Sequence, residues 1–150
     1  MTLYHGGYTA IEKPEIRPSV YNKDFGQGFY CTGYQTQAER WAKRFGTPFV
    51  SFYDYSPDSG IDKLIFSEMT DDWLDFVAAC RIGKAHVHDI VEGAMANDQI
   101  WNYVADYLSG VLTREQFWVL AKFKNPTHQI AFCSKKALEC LRYQESYEVK

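Results

Sequence analysis

The feature that most constrains the fold is an irregular succession of short strand-like runs and capped amphipathic segments. Short apolar runs bounded by glycine, proline or small polar residues predict strands over residues 3–5, 29–32, 49–55, 61–66, 86–91 and 129–133. Helical spacing follows the predicted caps Thr36, Thr70, Thr113 and Ser134, and another helix is expected to begin at Asn97 or Asp98. Because these elements do not alternate regularly, the sequence favours an α+β fold over a doubly wound sheet.

The chain has the size of one domain. It contains 150 residues, and no repeat, low-complexity tract or linker divides it, so residues 1–150 are expected to share one core. Residues 9–23 show little periodicity and include Pro14 and Pro18. They predict a surface loop of the length that often covers a functional site.

Charge and composition exclude several classes of function. The net charge is −3, so the chain lacks the overall basic character that drives non-specific nucleic-acid binding, although a local basic groove stays open. No apolar run approaches the ~18 residues of a membrane span, and no leader pattern is present, so a cytoplasmic protein without a membrane partner is expected. The four cysteines form no CxxC pair and are expected to be free and mostly buried.

Two pairs of reactive side chains have spacings compatible with chemistry. Cys31 and His5 are a candidate nucleophile and base, because such partners meet only in the folded chain. His86 and His88 are separated by one residue, and on a strand both imidazoles would face one side, as in half of a zinc site. No further ligand is spaced to complete that site, so we expect no metal. We favour ordinary strand residues at Cys31, His86 and His88.

Glycines and aromatic side chains are combined in two segments. Gly26 and Gly28 lie among Phe25, Phe29 and Tyr30, where the glycines permit close backbone approach and the rings offer walls for a flat ligand. The earlier segment His5-Gly6-Gly7 ends a predicted strand, where the main chain of Gly6 can hydrogen-bond to a ligand amide.

Together these segments resemble the ADP-ribosyltransferase superfamily, in the branch of diphtheria toxin and the poly(ADP-ribose) polymerases. The resemblance rests on four stretches, which are LYHGG at 3–7, DFGQGFYCT at 24–32, TQAERWA at 36–42 and HQIAFCSKKALECLRY at 128–143. The chain is also similar to an uncharacterised bacterial family of small ADP-ribosyltransferase-like domains. The resemblance covers most of the chain, matches weakly over 45–125, and implies a split antiparallel sheet with flanking helices.

The resemblance assigns an NAD-binding role to four residues. His5 matches the family histidine that holds the nicotinamide-ribose hydroxyl, and Gly6 matches the glycine whose main chain grips the carboxamide. Tyr30 stands where the family tyrosine stacks on nicotinamide, and Trp41 where the family has its second stacking aromatic. NAD is thus the implied substrate, and no metal is implied.

The expected NAD contacts extend into the neighbouring segments. Phe25 and Gly28 of the glycine segment are expected to contact NAD. In the preceding loop, Arg17, Asn22 and Lys23 are candidates for the pyrophosphate, although an ordinary solvated loop is the favoured interpretation.

Gln129 occupies the position of the family's catalytic glutamate. The family reaction separates nicotinamide from ribose and leaves positive charge on the ribose, which a carboxylate stabilises and an amide does not. Losing one such preorganised partner costs roughly 3 kcal/mol of transition-state stabilisation, about a hundredfold in rate. The resemblance therefore implies transfer of a single ADP-ribose rather than chain elongation.

Three functional hypotheses follow. The first is an NAD-dependent mono-ADP-ribosyltransferase with His5, Tyr30 and Gln129 as catalytic residues and a protein or nucleic acid as acceptor. By analogy with the superfamily, such an enzyme suits a bacterial toxin held by an antitoxin protein. The second is a weak or inactive module that binds NAD or ADP-ribose and acts through a protein partner. The third, a cysteine hydrolase using Cys31 and His5, is disfavoured.

Overall fold

The protein is an α+β domain with two β-sheets. The computed structural model describes residues 1–19, 21–96, 98–121 and 127–150, with only the main chain of residues 98 and 99. In these ranges the strands are β1 (Thr2–Gly7), β2 (Phe29–Cys31), β3 (Phe49–Tyr55), β4 (Lys63–Ile65), β5 (Ile90–Gly93), β6 (Gln129–Phe132) and β7 (Leu141–Glu148). The helices are α1 (Gln35–Ala42), α2 (Asp71–Arg81), α3 (Asp98–Leu108), α4 (Arg114–Leu120) and α5 (Lys135–Leu138).

The two sheets have three and four strands. The first has the order β1-β3-β7 and the second the order β2-β6-β5-β4. Neighbouring strands are antiparallel except for β4 and β5, which are parallel, so the expected all-antiparallel sheet is corrected at this edge. A single bridge between Tyr4 and Thr32 connects the edge strands β1 and β2 of the two sheets.

Three apolar clusters form the core. The first fills the space between the two sheets, with Leu3 and Tyr53 from one sheet and Phe29 and Phe132 from the other. The second packs α2, α3 and α4 against the opposite face of the four-stranded sheet, around Trp73. The third joins α1 to the outer face of the three-stranded sheet. The successive layers are therefore helix, sheet, sheet and helices.

Most helix starts follow the predicted capping chemistry. The side chains of Thr70, Thr113 and Ser134 each accept a hydrogen bond from the main chain of the following turn, as predicted, and Thr113 forms a full capping box with Gln116. The prediction for Thr36 is wrong, because the cap of α1 is Tyr34, two residues earlier in the chain, and Tyr34 makes no side-chain cap bond. Asn97 lies outside the described residues, as does the Asp98 side chain.

The C-terminal region differs most from the sequence prediction. The helix that follows Ser134 ends at Leu138, and an unpredicted strand, β7, comes after it. A bulge opposite Phe52 and Tyr53 leaves Gln144 without a register partner, which interrupts the alternation that would have indicated a strand. The predicted strand over 86–91 also shifts, since β5 begins only at Ile90.

Two expectations from composition can be compared with the structure. All four cysteines are free, and Cys31, Cys80 and Cys140 are buried, as predicted. Among the described residues, none of the helices is both long and apolar enough to cross a membrane.

Close packing of α1 against β1 explains why residue 6 is a glycine. A Cβ atom on Gly6 would collide with the carbonyl oxygen of Ala38 and lie 2.9 Å from the main-chain nitrogen of Ala42. Helix α1 therefore approaches β1 at Gly6 more closely than any side chain allows.

We expect Gly6→Ala to lower the free energy of unfolding toward the upper end of the roughly 1–3 kcal/mol typical of overpacking. Urea denaturation measures this change. Gly46→Ala is the matched control, since a Cβ at Gly46 meets nothing within 4 Å, and it should stay within about 0.5 kcal/mol of wild type. Equal stabilities for the two variants would contradict the close helix approach.

Candidate active site

The candidate site lies where β1 and β2 separate. Tyr4 and Thr32 exchange two main-chain hydrogen bonds, of 2.8 and 2.9 Å. In a continuing antiparallel ladder the next such pair would be Gly6 and Tyr30. No main-chain bond joins that pair in the described part of the chain. The two edge strands therefore separate directly after the Tyr4–Thr32 pair and leave a gap between Gly6 and Tyr30.

The imidazole of His5 holds this gap in place. Its Nδ1 lies 2.6 Å from the carbonyl oxygen of Tyr30, and the ring stacks on Phe29 with centroids 4.2 Å apart. Because a carbonyl oxygen only accepts, Nδ1 carries the hydrogen and donates it. The side chain of His5 thus takes the acceptor that the main chain of Gly6 would use in a regular ladder.

Burial keeps His5 neutral. Desolvation lowers the pKa of His5 to about 4, against a smaller upward effect of the bond to Tyr30 and with a further lowering by the charge of Lys23. With the hydrogen on Nδ1, the neutral ring has its lone pair on Nε2. Among the described residues, Nε2 makes no hydrogen bond, and it is not a buried polar atom without a partner. Nε2 is therefore accessible and remains an open acceptor.

Two glycines keep space open beside this acceptor. A Cβ on Gly7 would lie 3.3 Å from Nε2 of His5, so the missing side chain leaves the nitrogen uncrowded. The N–H and C=O of Gly6 face the same edge as those of Tyr4, because these groups alternate along an antiparallel strand. The gap therefore presents a main-chain donor and acceptor next to a histidine acceptor.

Tyr30 anchors the glycine segment through its hydroxyl. The hydroxyl donates to the carbonyl oxygen of Gly26 at 2.6 Å and accepts from the main-chain N–H of Phe25 at 3.1 Å. Gly26 has a φ of +83°, a conformation that favours glycine, and its N–H closes a turn onto the carbonyl of Lys23. Burial raises the pKa of Tyr30 well above its ordinary value, so the phenol stays protonated.

Gln129 belongs to a buried charged network. Its Nε2 donates to a carboxylate oxygen of Asp24 at 3.2 Å, and the other oxygen of that carboxylate pairs with Arg81 at 2.6 Å. The main-chain N–H of Ala96 also donates to Asp24. Since Asp24 offers only acceptors, the amide nitrogen of Gln129 must face it, and the carboxamide oxygen is the atom left for another partner.

The structure brings some predicted residues together and leaves others apart. His5, Gly6 and Tyr30 meet at the gap. Gln129 lies on the same face of the second sheet as Tyr30, because Tyr30 pairs with Ala131 and Gln129 is two residues from Ala131 on β6. Trp41 is half-buried on α1, and no aromatic or hydrogen-bonding partner of its side chain is found among the described residues.

Three residues expected to contact NAD have structural surroundings of their own. Arg17 is exposed on the loop and pairs with Glu15 at 3.6 Å. The ring of Phe25 is fully buried in the second core. Gly28 is required by packing, since its Cβ would lie 2.9 Å from the carbonyl oxygen of Phe132.

Two other candidate reactive residues, His86 and Cys31, have structural surroundings. Nε2 of His86 donates to the carbonyl of Phe25 at 2.8 Å and Nδ1 accepts from the main-chain N–H of His88, so neither nitrogen is open to a metal. A surface pocket beside the Gly26 turn includes His86 in its lining, and His5 is not among its lining residues. Cys31 is fully buried, and burial raises the pKa of its thiol, which argues against a nucleophile.

Sequence reasoning missed two residues that shape the site. Asp24 and Arg81 form the buried ion pair that holds Gln129, although 57 residues separate them along the chain. An acidic residue beside the glycine segment was the available signal for Asp24. Arg81, at the end of an amphipathic helix, carried none.

The structure is an α+β protein with an open polar gap, the candidate site, at the junction of two sheets. Comparison with curated proteins and with solved structures gives no match. The chain belongs to the family described as protein of unknown function (DUF3990), whose profile matches residues 1–143.

We expect His5 to remain neutral, with hydrogen on Nδ1, from pH 8 down to pH 5. The unfolded histidine has a pKa near 6.5 and the folded one about 4, so folding stability falls as pH decreases through this window, by up to about 1.4 kcal/mol per pH unit. Imidazole ¹⁵N shifts report both the tautomer and the titration. A folded pKa near 6.5 or an Nε2–H tautomer would contradict the geometry.

Gln129→Glu should destabilise the protein by about 1–3 kcal/mol at pH 7, because it buries a second carboxylate against Asp24. The folded pKa of the new carboxyl is raised above its unfolded value of about 4.3, so the loss grows as pH rises through that value. Denaturation at pH 4 and pH 7 measures the difference. The exposed Gln144→Glu is the control and should change stability by less than about 0.5 kcal/mol.

Proposed function

We propose that the protein is an NAD-dependent mono-ADP-ribosyltransferase whose active site is the gap between β1 and β2. The observation that carries this proposal is the combination of an open, neutral His5 acceptor with the unpaired main chain of Gly6. A hydroxyl donor and a primary carboxamide are the ligand groups that fit such a pair. The nicotinamide-ribose portion of NAD contains both groups next to each other.

The arrangement of donors and acceptors supports this orientation. Nε2 of His5 accepts from a ribose hydroxyl. The C=O of Gly6 accepts from the carboxamide N–H of nicotinamide, and the N–H of Gly6 donates to the carboxamide carbonyl. Tyr30 supplies a ring for the nicotinamide, and Trp41 is proposed to cover its other side. Two main-chain bonds to a carboxamide orient the leaving group. This orientation lowers the barrier to reaction in addition to contributing to affinity.

The reaction breaks the bond between nicotinamide and the ribose carbon. The electron pair of that bond leaves with nicotinamide, and positive charge develops on the ribose. A nucleophile of the acceptor then bonds to this carbon and loses a proton. The carboxamide oxygen of Gln129 is the atom available to hold a ribose or acceptor hydroxyl, since its nitrogen is committed to Asp24.

The network around Gln129 suggests why the site uses an amide. A carboxylate at this position would be buried against Asp24, so it would take up a proton rather than supply a charge. Asp24 itself is neutralised by Arg81. The proposed site therefore relies on orientation more than on charge stabilisation, which suits single transfer to an acceptor and a modest rate.

The same observation supports a second candidate, a module that binds NAD or ADP-ribose without turning it over. The buried Asp24–Arg81 pair and its bond to Gln129 hold the amide in place, and an amide provides no negative charge for the ribose. Such a module would act through a protein partner. For either candidate, the proposed partners are NAD, a macromolecular acceptor or effector and, if the protein is a bacterial toxin, an antitoxin.

Release of nicotinamide from NAD tests the proposal. We expect release that requires added cell extract as the source of acceptor. His5→Asn should lower kcat/KM by at least about tenfold, because removing the acceptor forfeits a bond of roughly 1–1.5 kcal/mol and its alignment. Product chromatography with labelled NAD measures nicotinamide and the modified acceptor together.

Matched variants separate the site from general damage. His88→Asn changes a histidine outside the gap and should retain full release. Tyr30→Phe keeps the ring but removes the hydroxyl that anchors the Gly26 turn, so it should retain more activity than Tyr30→Leu. Folding of each variant is checked by thermal unfolding. Absence of release with NAD still protecting the wild type against heat would favour the binding module, and absence of both would refute NAD as the ligand.

A further inference from the structure

Lys23 covers the ring on which the proposed nicotinamide would stack. Its Nζ lies 5.1 Å from the centroid of the Tyr30 ring, within the range of a cation–π contact. Tyr30 also packs against the second apolar core, so its ring has apolar neighbours as well as this ammonium group. A flat ligand that stacks on the ring face covered by Lys23 must take the place of the ammonium group.

The charge of this ammonium also acts on the histidine of the gap. It contributes to the lowering of the His5 pKa, and desolvation of the ammonium lowers the pKa of Lys23 itself. The nicotinamide ring of NAD is also a cation, so both cannot occupy the ring face without repulsion.

The main chain of Lys23 is fixed by a hydrogen bond, whereas its side chain can rotate toward solvent. The carbonyl of Lys23 accepts from the N–H of Gly26, which fixes the turn through Asp24 and Phe25. Lys23 as a residue is exposed, so rotation of its side chain alone opens the ring. A contact of this kind contributes only about 0.5–1 kcal/mol at exposed sites, which a ligand can readily replace.

We propose that Lys23 is an internal competitor for the nicotinamide position, which occupies the face of Tyr30 in the free protein and swings out when NAD binds. This inference rests on the proposed function. It assigns a regulatory contact to a residue that would otherwise be a pyrophosphate ligand. Lys23 therefore weakens binding of the nicotinamide portion and leaves binding of the ADP-ribose portion unchanged.

Calorimetric titration of three ligands into four proteins tests the proposal. The ligands are NAD, nicotinamide and ADP-ribose, and the proteins are wild type, Lys23→Ala, Lys23→Arg and Lys135→Ala. Removing the contact should tighten NAD binding by Lys23→Ala about two- to fivefold, and nicotinamide binding in the same direction. ADP-ribose should bind equally to all four proteins, because it lacks the nicotinamide ring that would stack on Tyr30.

The two controls are matched to the mechanism. Lys23→Arg keeps a cation over the ring and should show no tightening. Lys135 is an exposed lysine of α5, and its replacement removes the same charge elsewhere. Comparable tightening in Lys135→Ala would indicate a general charge effect and overturn the proposal.

Other outcomes also decide the question. Weaker binding of both NAD and ADP-ribose by Lys23→Ala would identify Lys23 as a phosphate ligand and overturn the competitor role. Unchanged NAD affinity would overturn it while leaving the proposed function intact. If no ligand binds to wild type or to Lys23→Ala, the open ring face is not a nicotinamide site, and both proposals fail.

Discussion

The bond from Nδ1 of His5 to the carbonyl oxygen of Tyr30 is the interaction on which the site depends. It replaces a main-chain rung with a side chain, and this substitution separates two sheets that are joined directly beside it at Tyr4 and Thr32. A continuous ladder would have paired Gly6 with Tyr30 and closed the gap. The same bond sets the tautomer of the imidazole, so one contact determines the strand separation and the chemical character of Nε2.

A second constraint comes from helix α1 and the buried ion pair on either side of this gap. Helix α1 packs on β1 so closely that only glycine is tolerated at position 6, which holds the unpaired main chain in a fixed place. Asp24 and Arg81 hold the glycine segment and Gln129 from the other side. Because breaking a buried pair leaves an uncompensated charge, this network favours a rigid site over an adaptable one.

Several parts of the fold could be predicted from local pattern alone. Thr70, Thr113 and Ser134 start helices because their side chains satisfy nearby main-chain N–H groups, an interaction within four residues. Strand β7 escaped prediction because its pairing with β3 is long-range and its alternation is broken by the bulge at Gln144. Phe25 was expected at a ligand and is instead a core residue, because ring burial depends on three helices that the local pattern does not position.

The amino-acid sequence by itself determined the α+β class, most element positions and the pairing of a His-Gly-Gly segment with a glycine-aromatic one. These properties depend on residue type and short spacing, which local sterics and hydrogen bonding decide. Only the tertiary structure decided that Lys23 covers Tyr30, that Asp24 commits the nitrogen of Gln129, and which nitrogen of His5 is open. Each of these depends on groups from separate segments meeting in the folded protein, where position rather than residue type sets charge and hydrogen bonding.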